Sequence, residues 1–265
     1  MENRGEISRL PILTKSVRTS RIDSQSRPRG GERMPRKPVK LAWGVRREGR
    51  SLWTRNAVKG VSVRGERRKT NSRVEWRAWA ASKSKVAAAL LRTSNNPSNL
   101  LPDTGSTCLY LGASYGSTVS HIHDQTCGSG NHHGGQVVAV EISPRAMREL
   151  SVLAVSRPGL VPVLGDARVP GQVAPFLRGK ADWMHQDLSI ADQAQTFVKM
   201  ADTFLRSRGT GLLSLKAASE RASQGDDDSR FAKAERILEE SNLELVERID
   251  LTGLEEQHVV FHVRG

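Results

Sequence analysis

Acidic side chains stand at the ends of three successive predicted strands. Glu141, Asp166 and Asp187 are the last residues of these strands. In open α/β sheets, ligands bind outside the carboxyl ends of the strands. A carboxylate there would otherwise prefer solvent, so three in succession predict a shared ligand with hydroxyl, amino or cationic groups.

A glycine-rich turn follows the preceding strand, and it indicates which ligand this is. The run from Gly112 to Gly116 has G-x-x-x-G spacing, which differs from the G-x-G-x-x-G of dinucleotide enzymes and is usual in methyltransferases. We expect Glu141 to accept hydrogen bonds from both hydroxyls of a ribose. Asp166 would accept from an adenine amino group, and Asp187 would lie near the sulfonium or amino acid part. The pattern favours S-adenosylmethionine, a cationic cofactor without phosphates, and leaves a nucleotide oxidoreductase as the alternative.

The elements that position these groups alternate between strands and helices. This alternation predicts an α/β, Rossmann-like fold with a mostly parallel, seven-stranded sheet. Strands are predicted at residues 107–111, 136–141, 161–166, 181–187, 211–216, 243–251 and 257–263, and helices at 84–92, 117–124, 144–156, 192–206 and 228–241.

Shorter strand-like pieces precede this part of the chain. Residues 39–45, 51–54, 61–63 and 74–79 predict a small antiparallel β domain, because turn-prone residues separate them. Their tryptophans interleave with Arg and Lys, which is typical of sheets that face nucleic acid and equally of sheets packed on a core. We therefore expect a basic disordered tail at 1–37, the small β domain at 38–80 and a methyltransferase domain at 81–265.

The net charge of +13 is unevenly distributed. Residues 1–85 hold 24 Lys and Arg against 7 Asp and Glu, whereas residues 86–265 hold 17 against 21. The basic third would contact phosphate, or it would be a solvated tail. Cys108 and Cys127 give no disulfide framework and are expected to be reduced thiols of an intracellular protein. No apolar run reaches the roughly 20 residues that span a bilayer, so no membrane contact is expected.

The motifs together resemble fibrillarin and its archaeal homologues. The resemblance runs from about residue 39 to the C-terminus, and it rests on the motifs at 109–121, 139–145, 165–168 and 187–193. Upstream, Arg77-Ala78-Trp79 and residues 84–89 match the family's segment between its two domains.

The resemblance implies a box C/D guide-RNA-directed 2′-O-methyltransferase acting on rRNA and tRNA. Family members work with guide RNA, a coiled-coil scaffold protein and a kink-turn-binding protein. A long Gly/Arg tail is absent, which favours an archaeal-type, cytoplasmic protein over a nucleolar one. Two alternatives are an RNA-binding subunit that has lost catalysis and a protein glutamine methyltransferase.

The resemblance also implies a catalytic set of Lys85, Asp166, Lys216 and His258. Lys216, buried beside Lys85, would take or share the proton of the ribose hydroxyl. Asp166 would orient the lysines, and His258 would position the ribose. The cofactor-binding residues are predicted to be Gly112, Ser114, Gly116, Ser117, Thr118, Glu141, Ile142, Asp166, Ala167, Asp187, Leu188, Ser189 and Ile190.

Three departures from the family pattern bear on the site. Ile190 stands where the family usually has Gln, so one polar cofactor contact is expected to be missing. Ala80-Ala81 replaces an Asn-Pro pair before the helix at 84–92. The loop at 126–135 is longer than usual and contains His132-His133, which we interpret as a solvated loop rather than a metal site.

Overall fold

The computed structural model describes residues 37–220 and 226–265. The predicted N-terminal tail, apart from Lys37, lies outside these ranges. The first sheet has five antiparallel strands in the order β1-β2-β3-β5-β4. Its strands are β1 (Val39–Ala42), β2 (Val45–Glu48), β3 (Ser51–Arg55), β4 (Arg68–Asn71) and β5 (Val74–Trp79).

The small antiparallel sheet is confirmed, but two of its predicted strands are wrong. Residues 39–45 form a hairpin around Gly44, whose φ of +68° suits glycine. Residues 61–63 are not a strand, because the Glu66 carboxylate accepts the backbone N–H groups of Val63 and Arg64 and so removes them from any ladder. The polar strand β4 takes their place at the edge of the sheet.

The second sheet has seven strands in the order β11-β12-β10-β9-β6-β7-β8, and only β12 runs against the others. The predicted fold class is therefore confirmed. Its central strands are buried on both faces, as expected of parallel strands covered by helices. The strands are β6 (Thr107–Leu111), β7 (Gln136–Glu141), β8 (Leu160–Leu164), β9 (Ala181–Asp187), β10 (Leu205–Lys216), β11 (Glu244–Asp250) and β12 (His258–Arg264).

Helices cover both faces of this sheet. Side-chain oxygens cap several of them; for example, Ser84 accepts from Ala87 N and Ser143 from Ala146 N. None of the helices in the described ranges is long and apolar enough to cross a membrane. The helices are α1 (Lys85–Arg92), α2 (Ser117–Thr126), α3 (Pro144–Val155), α4 (Pro170–Val173), α5 (Gln193–Phe204) and α6 (Asp227–Glu239).

The core divides into two layers, one on each face of the large sheet. Helices α1, α2 and α3 pack on the face that carries Tyr110 and Leu212, whereas α5 and α6 pack on the opposite face. This arrangement places the N-terminal ends of α1 and α2 beside the carboxyl ends of the parallel strands. The fold therefore brings the predicted site residues to one edge of the sheet.

Candidate active site

The glycine-rich turn packs tightly against the end of β9. Gly112 has a φ of +84°, and a Cβ there would lie 2.2 Å from the backbone oxygen of Asp187. Gly116, with a φ of +82°, is the N-cap of α2. Both positions need glycine, and the turn leaves the first residues of α2, Ser117 and Thr118, at the rim of the site.

Glu141 is fixed at the end of β7 by two backbone donors. Ser114 N donates to Oε2 at 2.7 Å, and Ser143 N donates to Oε1 at 2.8 Å. Each carboxylate oxygen keeps a further lone pair, so this side chain can accept two vicinal hydroxyls. Ile142, 63% exposed, offers an apolar surface next to it.

Asp166 lies two residues beyond the end of β8 and is held by a neighbour. Arg168 donates to both of its carboxylate oxygens, and these hydrogen bonds lower the pKa of Asp166. Ala167 between them is buried. Three strand spacings, roughly 14 Å, separate β8 from β9. The prediction that Asp166 orients the lysines is therefore wrong, whereas its predicted adenine contact stays a prediction.

The carboxylate that pairs with Lys85 is Asp187. Lys85 Nζ lies 3.2 Å from Asp187 Oδ2, and both side chains are partly exposed. Lys85 is the first residue of α1, and Asp187 is the last residue of β9. The ion pair therefore joins a helix end to the sheet edge where the cofactor turn also lies.

Lys216 and His258 lie on the same face and edge as Asp187. Ser214 pairs with Asp187 across β9 and β10, and Lys216 pairs with His258 across β10 and β12. Directly paired residues, and residues two apart on a strand, point to the same face of a sheet. Lys216 is exposed, so the predicted burial of this lysine is wrong.

A buried polar layer supports this edge from below. His185 Nε2 lies 2.8 Å from Ser214 Oγ, and burial lowers the pKa of His185 to about 4, so its ring is neutral at pH 7. Burial raises the pKa of Tyr110, whose ring meets His185 edge-on at 4.6 Å. Its hydroxyl is hydrogen-bonded to Thr118. These neutral side chains therefore pack beneath Asp187 and add no charge to the site.

Sequence reasoning missed the groups that hold Lys216 in place. The buried Gln193 accepts from Lys216 N at 3.3 Å and donates to Lys216 O at 3.2 Å. The buried Glu220 in turn accepts from Gln193 N and Nε2. Gln193 lies within the motif at 187–193, which was the available signal, but nothing local links it to Lys216.

The remaining predicted cofactor residues follow β9 or begin α2. Leu188 and Ile190 are half-buried and Ser189 is exposed beyond the end of β9. Thr118 Oγ1 donates to Ser84 Oγ at 3.0 Å, which links α2 to the N-cap of α1. The cofactor-binding assignments of these residues stay predictions.

Buried ion pairs dock the small sheet on α2. Arg77 of β5 is fully buried and pairs with Asp124 at 2.7 Å and with Glu66 at 2.6 Å. Arg157 reaches the other oxygen of Asp124 at 3.0 Å. Two guanidiniums and two carboxylates are thus paired with one another at the junction between the small sheet and the large sheet.

Arg64 connects the small sheet to the cofactor turn itself. Its guanidinium donates to Tyr115 O at 3.1 Å, lies over the Tyr115 ring and pairs with Glu149 of α3 at 2.6 Å. The turn that follows β6 therefore has a second support, from outside the large sheet.

The long loop at 126–135 contacts the small sheet from another side. His133 packs edge-on against Trp43, with ring centroids 4.2 Å apart, and His132 lies beside both. The exposed His132 fits the predicted solvated loop, but His133 is half-buried. Across residues 37–220 and 226–265, no three His, Cys, Asp or Glu side chains are grouped as metal ligands would be.

The carboxylates at this edge fit S-adenosylmethionine, because they accept hydrogen bonds from hydroxyl and amino groups. A fixed carboxylate at the end of β7 matches a ribose; a further carboxylate, Asp166, lies beyond β8, and another, Asp187, ends β9. Strand order, glycine turn and acidic strand ends together define a Rossmann-like methyltransferase fold.

Comparison with known proteins gives the family. The fibrillarin family model matches residues 39–264. A fibrillarin-like rRNA/tRNA 2′-O-methyltransferase from Methanocaldococcus jannaschii is 34% identical over 224 residues, which cover 84% of this chain and 90% of that protein. The chain therefore belongs to the fibrillarin family.

Two solved structures are also similar. Aeropyrum pernix fibrillarin with natively bound S-adenosyl-L-methionine is 29% identical, with a TM-score of 0.71, and the match covers 86% of this chain and 99% of that one. The fibrillarin chain of a fibrillarin/Nop5p complex is 26% identical, with a TM-score of 0.69, covering 81% and 93%.

Proposed function

We propose that this chain transfers a methyl group from S-adenosylmethionine to ribose 2′-hydroxyls of rRNA and tRNA, as the methyltransferase of a box C/D guide-RNA complex. Family membership supports the activity. The observation that carries the proposal is the Lys85–Asp187 ion pair at the edge where Lys216 and His258 also lie.

The cofactor would lie across the carboxyl ends of β6 to β9. Glu141 would accept the two ribose hydroxyls, and Asp166 would accept from the adenine amino group. The Gly112 turn would bring its backbone to the amino acid part. When bound, S-adenosylmethionine supplies a methyl group already activated on a sulfonium, so positioning and proton removal are the tasks left to the protein.

Lys216 performs the proton removal in this proposal. Its Nζ takes or shares the proton of the 2′-hydroxyl while the oxygen acquires the methyl group, and the proton then passes to water. Asp187 holds Lys85 at the same edge of the sheet as Lys216. His258, the cross-strand neighbour of Lys216, positions the ribose.

The chain would work inside a larger particle. A relative forms a complex with Nop5p, so we propose a scaffold protein of that kind as partner. Guide RNA would supply sequence specificity by base pairing, and a kink-turn-binding protein would complete the particle. Residues 86–265 carry more acidic than basic side chains, which supports a dependence on partners for RNA affinity.

Reconstitution tests the proposal. The chain would be assembled with scaffold protein, kink-turn protein and guide RNA, and methylated riboses in the target would be mapped. Lys216→Ala should lower methyl transfer by about 100-fold or more with an unchanged dissociation constant for S-adenosylmethionine. Lys59→Ala, which also removes an exposed lysine, is the matched control.

The outcomes separate the alternatives. Guide-dependent ribose methylation that Lys216→Ala abolishes supports the proposal. Cofactor binding without any methyl transfer would indicate a subunit that has lost catalysis. Methylation of protein glutamine without guide RNA would assign the activity to a different substrate.

A further inference from the structure

We propose that the cleft between the small sheet and the N-terminal ends of α1 and α2 binds one backbone phosphate of the target RNA strand beside the methylated ribose. This inference rests on the proposed function and deepens it. The cleft has a volume of about 320 Å³. Its walls are formed by residues 50–52 and 64–67, by residues 78–81, Lys83 and Ser84 before and at the start of α1, and by Ser117 and His121 of α2.

The cleft adjoins the catalytic edge. Ser84 lines it, and the next residue is Lys85, which pairs with Asp187. Ser117 lines it as well, directly after the glycine-rich turn. A ribose placed at Lys85 and Lys216 would therefore have a neighbouring phosphate within reach of the cleft.

Basic side chains dominate the cleft. Arg50, Arg67 and Lys83 are exposed, and none has a carboxylate partner among the residues that the structure describes. Arg64 also lines the cleft but is paired with Glu149. Arg67 lies over the Trp53 ring at 5.8 Å, but none of the three positive charges is compensated by a carboxylate, so together they attract a phosphate.

Among the described residues that line the cleft, one is acidic, and this residue, Glu66, is ion-paired with Arg77. Burial would raise the pKa of Glu66, but hydrogen bonds from two backbone N–H groups and from Arg77 lower it to about 2. Its oxygens are occupied by Arg77, Val63 and Arg64. Glu66 therefore shapes the cleft without cancelling the charges of its rim.

A buried donor lies at the back of the cleft. His121 is 4% exposed, stacks on Trp79 at 5.0 Å and lies 2.6 Å from Thr54 Oγ1 through Nδ1. Burial and the nearby Arg77 lower the pKa of His121, so its ring is neutral. In the tautomer in which Thr54 Oγ1 donates to Nδ1, Nε2 carries the hydrogen, and this atom has no hydrogen-bond partner within the described part of the chain. It can donate to a phosphate oxygen.

Target RNA explains the cleft better than the cofactor or an acidic protein segment. Of the predicted cofactor residues, Ser117 alone lines the cleft, whereas its basic side chains come from the small sheet and the segment before α1.

A charge-coupling experiment tests this inference in the reconstituted complex. Target RNAs would each carry one neutral methylphosphonate at a phosphate on either side of the target ribose, and kcat/KM would be measured for each. The cleft variant is Arg67→Ala/Lys83→Ala. The control is Lys40→Ala/Lys59→Ala, which removes the same charge from exposed positions outside the cleft. One phosphate contact is worth about fivefold in affinity at 0.1 M salt, from a slope of about 0.7 per contact for single strands.

In the wild type and the control, neutralising one particular phosphate should lower kcat/KM about fivefold. In the cleft variant the same change should have no further effect, while the dissociation constant for S-adenosylmethionine and the melting temperature stay unchanged. The inference is overturned if the cleft variant responds to every methylphosphonate as the wild type does. It is also overturned if the cleft variant loses affinity for S-adenosylmethionine, or if its one defect is weaker binding of the scaffold protein. Absence of methylation in the wild type would refute the proposed function, which is a distinguishable result.

Discussion

Asp124→Asn is the substitution that most directly tests how the small sheet is held. Asp124 is fully buried between two buried guanidiniums, with Arg77 at 2.7 Å and Arg157 at 3.0 Å. Burial would raise the pKa of this carboxyl, but Arg77, His123 and Arg157 hold it well below its usual range. Asparagine keeps the shape and removes the charge, which leaves two buried cations with less compensation.

The magnitude follows from the burial of all three groups. Breaking a buried ion pair by removing one partner costs about 3–5 kcal/mol. Glu66 still faces Arg77, so the lower half of this range is expected. At about 2–4 °C per kcal/mol for a chain of this size, Tm should fall by roughly 6–16 °C.

Calorimetry and urea denaturation would measure the loss. Asp228→Asn is the control, because its side chain is 90% exposed and its pair with Arg248 at 3.5 Å should contribute little. A change below about 1 kcal/mol for Asp124→Asn, equal to the control, would refute the idea that this buried cluster stabilises the junction.

Three further outcomes are expected. Glu141→Gln should weaken S-adenosylmethionine binding by about tenfold in titration calorimetry, because charge-assisted hydrogen bonds become neutral ones; unchanged affinity would contradict the ribose assignment. Gln193→Leu should lower kcat by about 10- to 100-fold with little change in cofactor affinity, because Lys216 loses its backbone anchor; a normal kcat would contradict that positioning role. Glu66 has a pKa of about 2 in the folded chain against 4.5 as the reference, so its stabilisation is complete above pH 4.5 and is lost as pH falls toward 2. Melting curves should show this loss in the wild type and a smaller one in Glu66→Gln.

The large sheet was predictable because its strands are apolar runs with sharp ends. Residues 107–111, 136–141 and 181–187 were predicted with the bounds that the structure has. Continuous burial produces such runs, and the acid that ends each of two of them marks the ligand edge. The small sheet was harder, because β4 is polar and exposed at an edge and has no alternating pattern.

The candidate site was predictable in its members and not in its pairings. Lys85, Asp187, Lys216 and His258 all came from motifs, but which carboxylate faces Lys85 depends on strand order, which a motif does not contain. The sequence places Asp166 and Asp187 equally well at strand ends. In the folded sheet, β6 and β7 lie between β8 and β9, and this distance keeps Asp166 away from Lys85 while Asp187 pairs with it.

The junction between the sheets also fixes the shape of the cleft beside α1 and α2. The buried Arg77–Asp124 ion pair holds the small sheet against α2, and Arg64 connects it to Tyr115 of the glycine-rich turn. A third contact, between Trp43 and His133, joins it to the loop at 126–135. A junction held at three separate places resists hinge opening, so we expect the cleft and the catalytic edge to keep one relative position when RNA binds.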